Sequence, residues 1–335
     1  MKKFQNHIKK ITILFNKKED FLLYKICLVI FCALGFVSCQ TKKDYNTAID
    51  REKIDAAFGY NVSKLLFNHL YVVVDSTTYA NLTQNKNWQN NYASLDEGLP
   101  DFSHIHDNSS TFYLRGHEHY IEILGPNNTY NEPVGKSGIG FSLKNKGEHF
   151  HLGVQPKIRT VKDSILKAHE IISMPLEGGK KTWFKAFYTP SPGTALHTWY
   201  GFYNPEFLDN LYKKNHEVYS RKVFLDSSYT EHKLFNGIKE IHLSCTSIDF
   251  KRIVQELVAL DSKVLKKDEN TLIINSGDIK VEIAFSDLIK YSRITKIICE
   301  LNNDDQSHIE LGHLSITNKG LESVWDLAKL YGHNP

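Results

Sequence analysis

The sequence predicts an α+β fold in which a strand–helix–strand–strand–strand unit repeats along the chain. Three observations predict it. Two stretches present the same order of events, each opening on a β-rich strand with a central histidine and closing on a strand with a central glutamate. The segments read as strands are rich in β-branched and aromatic residues, whereas one segment between them has apolar residues at helical spacing. Short Gly and Pro breakers separate neighbouring strands, as antiparallel hairpins require.

The first unit opens at residues 65–74 and ends in Asp75-Ser76-Thr77-Thr78, a run suited to cap a helix. Residues 111–115, a turn at Gly116 and residues 119–124 before Gly125-Pro126 then read as a hairpin. The later unit opens at 238–245. Phe250, Ile253, Val254, Leu257 and Val258 follow at i, i+3, i+4, i+7 and i+8, which makes an amphipathic helix. Residues 271–275, the turn Ser276-Gly277-Asp278 and residues 279–285 form a second hairpin. A looser middle copy has strands at 138–143, 164–172, 182–189 and 196–203. At the C-terminus, 294–299 and 313–316 add strand and 320–330 reads as a helix.

Charge divides the chain. Residues 1–39 carry seven Lys against Glu19 and Asp20, so the overall +3 becomes −2 over residues 40–335, a balance that excludes a bulk nucleic-acid binder. The apolar run 26–37 is too short to span a bilayer comfortably and follows a Lys-rich segment, as in a processing signal. It ends in Val37-Ser38-Cys39-Gln40, which resembles the lipobox of bacterial lipoproteins, although the stretch before it is longer than usual. An ordinary cleaved signal or a short anchor helix would share the apolar run. The resemblance implies lipidation at Cys39, export, and attachment to a membrane of a bacterial envelope, on its periplasmic or surface face. The expected organisation is a lipoprotein signal peptide at 1–39, a tether at 40–61, paired units with the candidate site at 62–210, and a third unit with C-terminal strands and helix at 211–335. Of five cysteines only Cys245 and Cys299 then remain in the folded part, as two core thiols or one disulfide, too few for a four-Cys zinc cluster.

Asn68-His69-Leu70-Tyr71-Val72-Val73-Val74-Asp75, Tyr120-Ile121-Glu122-Ile123-Leu124-Gly125-Pro126 and Gly138-Ile139-Gly140-Phe141 together resemble the vicinal oxygen chelate superfamily, which includes glyoxalases, bleomycin-resistance proteins and extradiol dioxygenases. The pattern is closest to an uncharacterised bacterial lipoprotein branch of it. The resemblance covers about residues 64–302 and implies βαβββ modules forming curved mixed sheets. It also implies a cup between paired modules that holds one divalent ion. His69 and Glu122 match the ligand positions, and His197 is the third candidate; imidazole and carboxylate suit Zn, Ni, Mn or Fe. Alternation puts His69 on one face with Phe67, Tyr71 and Val73, and Glu122 with Tyr120 and Leu124. The departure lies in the middle unit, where Gly138 and Gly140 stand at ligand positions and no carboxylate lies at the centre of 197–203. His242 and Glu282 repeat the pair without a complete fourth unit, so they are expected to support the fold.

Tyr71, Arg115 and Trp199 are the candidate ligand-binding residues, on strands dense in aromatics, with Arg115 or Lys185 available to an anionic group. On a strand the spacing of His104/His106, His117/His119 and His149/His151 would place both rings of a pair on one face, but in polar loops these pairs are expected to be solvated rather than metal-binding. Gly135-Lys136-Ser137 is no P-loop, since Tyr130 stands where Gly is needed, and His117-Glu118-His119 lacks the second zincin His at Ile121. No Gly-x-Ser-x-Gly elbow occurs. Two readings follow. In one, the cup binds a small molecule with an ion acting as Lewis acid in lyase, isomerase or dioxygenase chemistry; in the other, the lipoprotein binds a ligand or protein without catalysis. Cys39→Ala is expected to abolish fatty-acid labelling and leave unprocessed precursor in a labelled-cell fractionation; unchanged labelling contradicts the lipoprotein reading.

Overall fold

The strand-rich runs form two curved mixed sheets in an α+β arrangement with few helices. The computed structural model describes residues 65–143, 166, 168–190, 194–217, 219–260 and 262–331. The expectations for the signal 1–39 with Cys39, the tether 40–61 and the pair His149/His151 fall outside these residues.

In the first sheet β1 (Leu65–Val73) leads into α1 (Ser76–Gln84), α2 (Lys86–Asn91), β2 (Ser94–Asp96), β3 (Thr111–Arg115) and β4 (Tyr120–Leu124). Asp75 caps α1 as its sequence demands, its carboxylate accepting from the Thr77 and Thr78 N–H groups at 2.9 and 3.0 Å. Strand β4 returns parallel to β1, and β3 and β2 continue antiparallel outward. On the other side of β1 lies β5 (Ser137–Leu143), antiparallel, and then β8 (Leu196–Tyr203), β7 (Gly179–Tyr188) and β6 (Ala168–Leu176). The short helices α3 (Pro205–Tyr212) and α4 (Arg221–Asp226) lead to the second sheet.

There β9 (Phe235–Cys245) is followed by α5 (Ser247–Ala259), β10 (Lys263–Lys267), β11 (Thr271–Ser276) and β12 (Ile279–Phe285), with β12 parallel to β9. The sheet continues through β13 (Arg293–Asp305), β15 (Leu314–Asp326) and β14 (His308–Leu311), paired antiparallel.

Two expectations are corrected. Residues 320–326 are not helical but end β15, and only Ala328–Tyr331 form a 3₁₀ turn. Pairing with β13 outweighs local helix preference there, because Ser323 and Trp325 alternate inward and Trp325 donates to the Tyr92 hydroxyl at 2.6 Å. Phe67 leaves the face of His69. A bulge at Asn68 pairs Phe67 with Phe141 but His69 with Gly140, and the extra residue turns Phe67 into the core.

One apolar core runs through both sheets, from Leu70, Ile121 and Phe112 to Ile241, Val281 and Ile297. Cys245 and Cys299 lie in it as free thiols, and burial pushes the Cys245 thiol up to about 12. The helices reach across. The Thr78 hydroxyl of α1 accepts the His313 N–H beyond β14 at 2.9 Å, and α5 meets β8 through a buried ionic cluster. In that cluster Arg252 donates to Asp249 at 2.9 Å, to Glu256 at 3.2 Å and to the Thr198 hydroxyl at 2.6 Å. Glu256 in turn accepts from the hydroxyls of Thr198 and Tyr200 at 2.6 and 3.0 Å. Glu256 is 0 % exposed, so its charge is tolerable only beside that cation. Replacing the cation, Arg252→Met, should therefore lower unfolding stability by about 3–5 kcal/mol in urea titrations; a loss below about 1 kcal/mol contradicts the arrangement.

Candidate functional site

Register places two rows of side chains on the face of the first sheet that turns away from the shared core. Arg115, Tyr120, His69, Gly140 and Trp199 form one row across β3, β4, β1, β5 and β8; Tyr113, Glu122, Tyr71, Gly138 and His197 form the next. His69 and Glu122 thus sit on adjacent parallel strands and share a face. The glycines explain the middle of each row. A Cβ at Gly140 would enter the Trp199 indole and one at Gly138 the Tyr71 ring, so their absence lets these aromatics lie over β5.

Trp199 then stands between the two candidate histidines. The His69 ring stacks on Tyr120 at 4.3 Å and meets Trp199 edge-on at 5.1 Å, while His197 stacks on Trp199 at 5.6 Å. His69 donates from Nδ1 to the Asn68 amide oxygen at 2.7 Å, since that oxygen can only accept, leaving Nε2 with the lone pair. Glu122 accepts from the Tyr113 hydroxyl at 3.0 Å, and its burial raises the carboxyl to about 7. Among the described residues the one trio of His, Cys, Asp or Glu with ligand atoms within 4.8 Å of one another is Glu240, His242 and Glu282. His69, Glu122 and His197 are not gathered in this way, and the Trp199 indole stands between the two histidines.

The Glu240 trio belongs to the second sheet, where the pair His242/Glu282 was expected mainly to support the fold. His242 Nε2 lies 2.8 Å from Glu240, out of line for a hydrogen bond, and Nδ1 lies 3.7 Å from Glu282. The donor set suits a divalent ion. Yet Lys280 Nζ sits 2.5 Å from the other Glu240 oxygen and supplies a cation of its own. Glu240 was legible as a partner, two residues before His242 and hence on its face.

Of Tyr71, Arg115 and Trp199, only Arg115 lines the cavity of about 310 Å³ at the β3–β4 end of this face. Tyr71 and Trp199 pack on each other at 6.1 Å. Lys185 is on the opposite face, its register partner being Phe202. The cavity has an apolar wall that includes Leu99, Met174 and Phe224, and a polar lip that includes Glu97, His106 and Ser110. Arg115, 2 % exposed, donates from Nε and Nη2 to both Asp96 oxygens at 2.7 and 2.8 Å, and its guanidinium lies 4.6 Å from the Tyr113 ring centre and 4.9 Å from that of Tyr120. Arg115 Nη1, Tyr120 Oη and Thr111 Oγ1 are buried without a hydrogen-bond partner. Sequence reasoning missed Asp96, for no local pattern ties it to an arginine 19 residues on.

A sequence profile of a family of unknown function, DUF5829, matches residues 67–327. The chain belongs to this family. No curated protein matches it. Among solved structures, a hypothetical protein from Staphylococcus aureus is 12 % identical with a TM-score of 0.39, covering 68 % of this chain and 88 % of that one. A xylose isomerase-like TIM barrel/4-hydroxyphenylpyruvate dioxygenase fusion protein is 14 % identical with a TM-score of 0.40, over 72 % of this chain and 37 % of that one.

The buried histidines make stability depend on pH. Burial lowers His69 to about 3 and His119 and His197 to about 4, whereas all three titrate near 6.5 when unfolded. Their contribution is full above about 6.5. It falls with pH as the unfolded chain binds protons that the folded chain refuses, by roughly 1.4 kcal/mol per histidine per pH unit. Glu122 acts in the opposite sense: its raised carboxyl contributes fully below 4.5 and loses that contribution as pH rises through about 7. Three histidines outweigh one glutamate, so urea titrations should show stability falling from pH 6.5 to 5, and Glu122→Gln should steepen the fall. A flat profile contradicts the neutral, buried histidines.

Proposed function

We propose that this protein is an exported, lipid-anchored member of DUF5829 that holds a small molecule in the cavity of its first sheet, on a vicinal-oxygen-chelate-like framework. The observation that carries the binding reading is the cavity of about 310 Å³, where Leu99, Met174 and Phe224 stand beside polar lining residues such as Glu97, His106 and Ser110. The framework reading is supported by the strand orders β2-β3-β4-β1 and β10-β11-β12-β9, in each of which the outer strand returns parallel beside the opening one. Catalysis by an ion held between His69 and His197 is not favoured, because Trp199 fills that position.

A second reading rests on Glu240, His242 and Glu282, whose ligand atoms converge within 4.8 Å. A divalent ion there would act as a Lewis acid, with Lys280 displaced from Glu240. Elemental analysis of protein prepared without chelator separates the two: the metal reading expects stoichiometric metal in the parent and its loss in His242→Ala.

The cavity is tested by mass spectrometry of compounds released on denaturing the protein. Thr129, an exposed lining residue, gives Thr129→Trp, which should narrow the opening and reduce released compounds about tenfold with an unchanged unfolding midpoint. The same compounds in the same amounts from parent and variant would remove the cavity reading.

A further inference from the structure

The charge that a ligand can reach in the cavity is negative, an inference that rests on the cavity being the binding site. Its lining includes one arginine, Arg115, and one carboxylate, Glu97. Arg115 is 2 % exposed and already meets both Asp96 oxygens, so its charge is matched and its surface is out of a ligand's reach. The expectation that Arg115 receives an anionic group is thereby replaced. Glu97 differs. Its side chain is 25 % exposed, and its oxygens meet the Ser103 and Ser109 hydroxyls and, at 3.1 Å, His106 Nε2. Among the described residues no lysine or arginine pairs with it. His106 is 61 % exposed, and a pair so open to water contributes little, so a ligand cation can take the imidazole's place.

The wall beside this carboxylate suits the same kind of ligand. Tyr113, Tyr120, Phe224 and Trp183 line the cavity as a continuous run of rings, with successive ring centres 6.0, 6.0 and 5.2 Å apart. The rings around Arg115 are Phe102, Tyr113, Tyr120 and Phe224. Trp183 is not among them, nor is Tyr130, a lining residue that is 62 % exposed. A ring face attracts a cation through its quadrupole and offers alkyl groups an apolar surface. An anion would be repelled by Glu97 and by the same ring faces. We propose that the occupant is an organic ammonium ion, its charge beside the Glu97 carboxylate and its alkyl groups against the aromatic wall.

Three probes of nearly equal shape isolate the charge: choline, its uncharged isostere 3,3-dimethylbutan-1-ol and the anion 3,3-dimethylbutanoate. They are titrated by ligand-observed NMR against the full chain in nanodiscs free of choline lipids, with empty nanodiscs as the blank. Choline is expected to bind at least about tenfold more tightly than either of the others. Glu97→Gln keeps the shape and polarity of the side chain and removes its charge. It should weaken choline about tenfold and leave the alcohol's affinity and the unfolding midpoint unchanged. Tyr130→Leu, at an exposed position, is the second variant and should weaken choline about threefold while the alcohol binds as before. The anion binding as tightly as choline overturns the proposal. So does choline affinity retained in Glu97→Gln, or in Tyr130→Leu should the first variant unfold. The alcohol matching choline refutes the role of charge but leaves the cavity reading standing; no binding by any probe refutes both.

Discussion

Arg115 and Asp96 form the constraint around which the first sheet's outer face is built. A guanidinium that is 2 % exposed can remain charged only if its neighbours compensate it, and the bidentate contact with Asp96 does so along one edge of the fork. Aromatic faces supply the rest: Tyr113, Tyr120, Phe102 and Phe224 all lie within 5.7 Å of its centre. Those rings are also the side chains that close the apolar cluster under α3 and α4, so the same residues that make the cation tolerable tie the helices to the sheet. The remaining nitrogen, Nη1, has no such partner. The fork is thus satisfied along one edge and left buried without a polar partner on the other, held there by the surrounding rings.

The neighbouring end of the same face has the opposite character. Gly138 and Gly140 give Tyr71 and Trp199 room to lie across β5, and the histidines of β1 and β8 become packing partners of an indole. Burial keeps them neutral, which suits an aromatic cluster and removes the cost of an uncompensated charge. The second sheet keeps a more polar version of the same register. His242 faces Glu282 across β9 and β12, with Glu240 and Lys280 one step along, so two pairs that look alike in the sequence end in different chemistry.

Much of the α+β arrangement could be read from local signals. The Asp75 cap, the hairpins at 111–124 and 271–285 and the helix over Phe250–Val258 follow from patterns spanning a few residues, and the alternation that put His69 and Glu122 on one face holds because β1 and β4 pair in step. The failures share a physical cause. At Asn68 one inserted residue reverses which side Phe67 takes, and alternation alone carries no sign of it. At 320–326, pairing with β13 decides what local propensity could not. In the site, Arg115 was visible but Asp96 was not, and the presence of two glycines announced a departure without saying that an indole would use the space. Contacts between distant segments fix these features, and a period of two or 3.6 residues does not encode them.

The dependence of this face on the Arg115–Asp96 pair is measured most directly by urea unfolding of Asp96→Asn, Arg115→Met and the double variant. Asp96→Asn should cost about 3–5 kcal/mol, with much of that recovered in the double variant, because each single change leaves a buried charge uncompensated. A loss below about 1 kcal/mol, or single effects that simply add, would contradict the pairing.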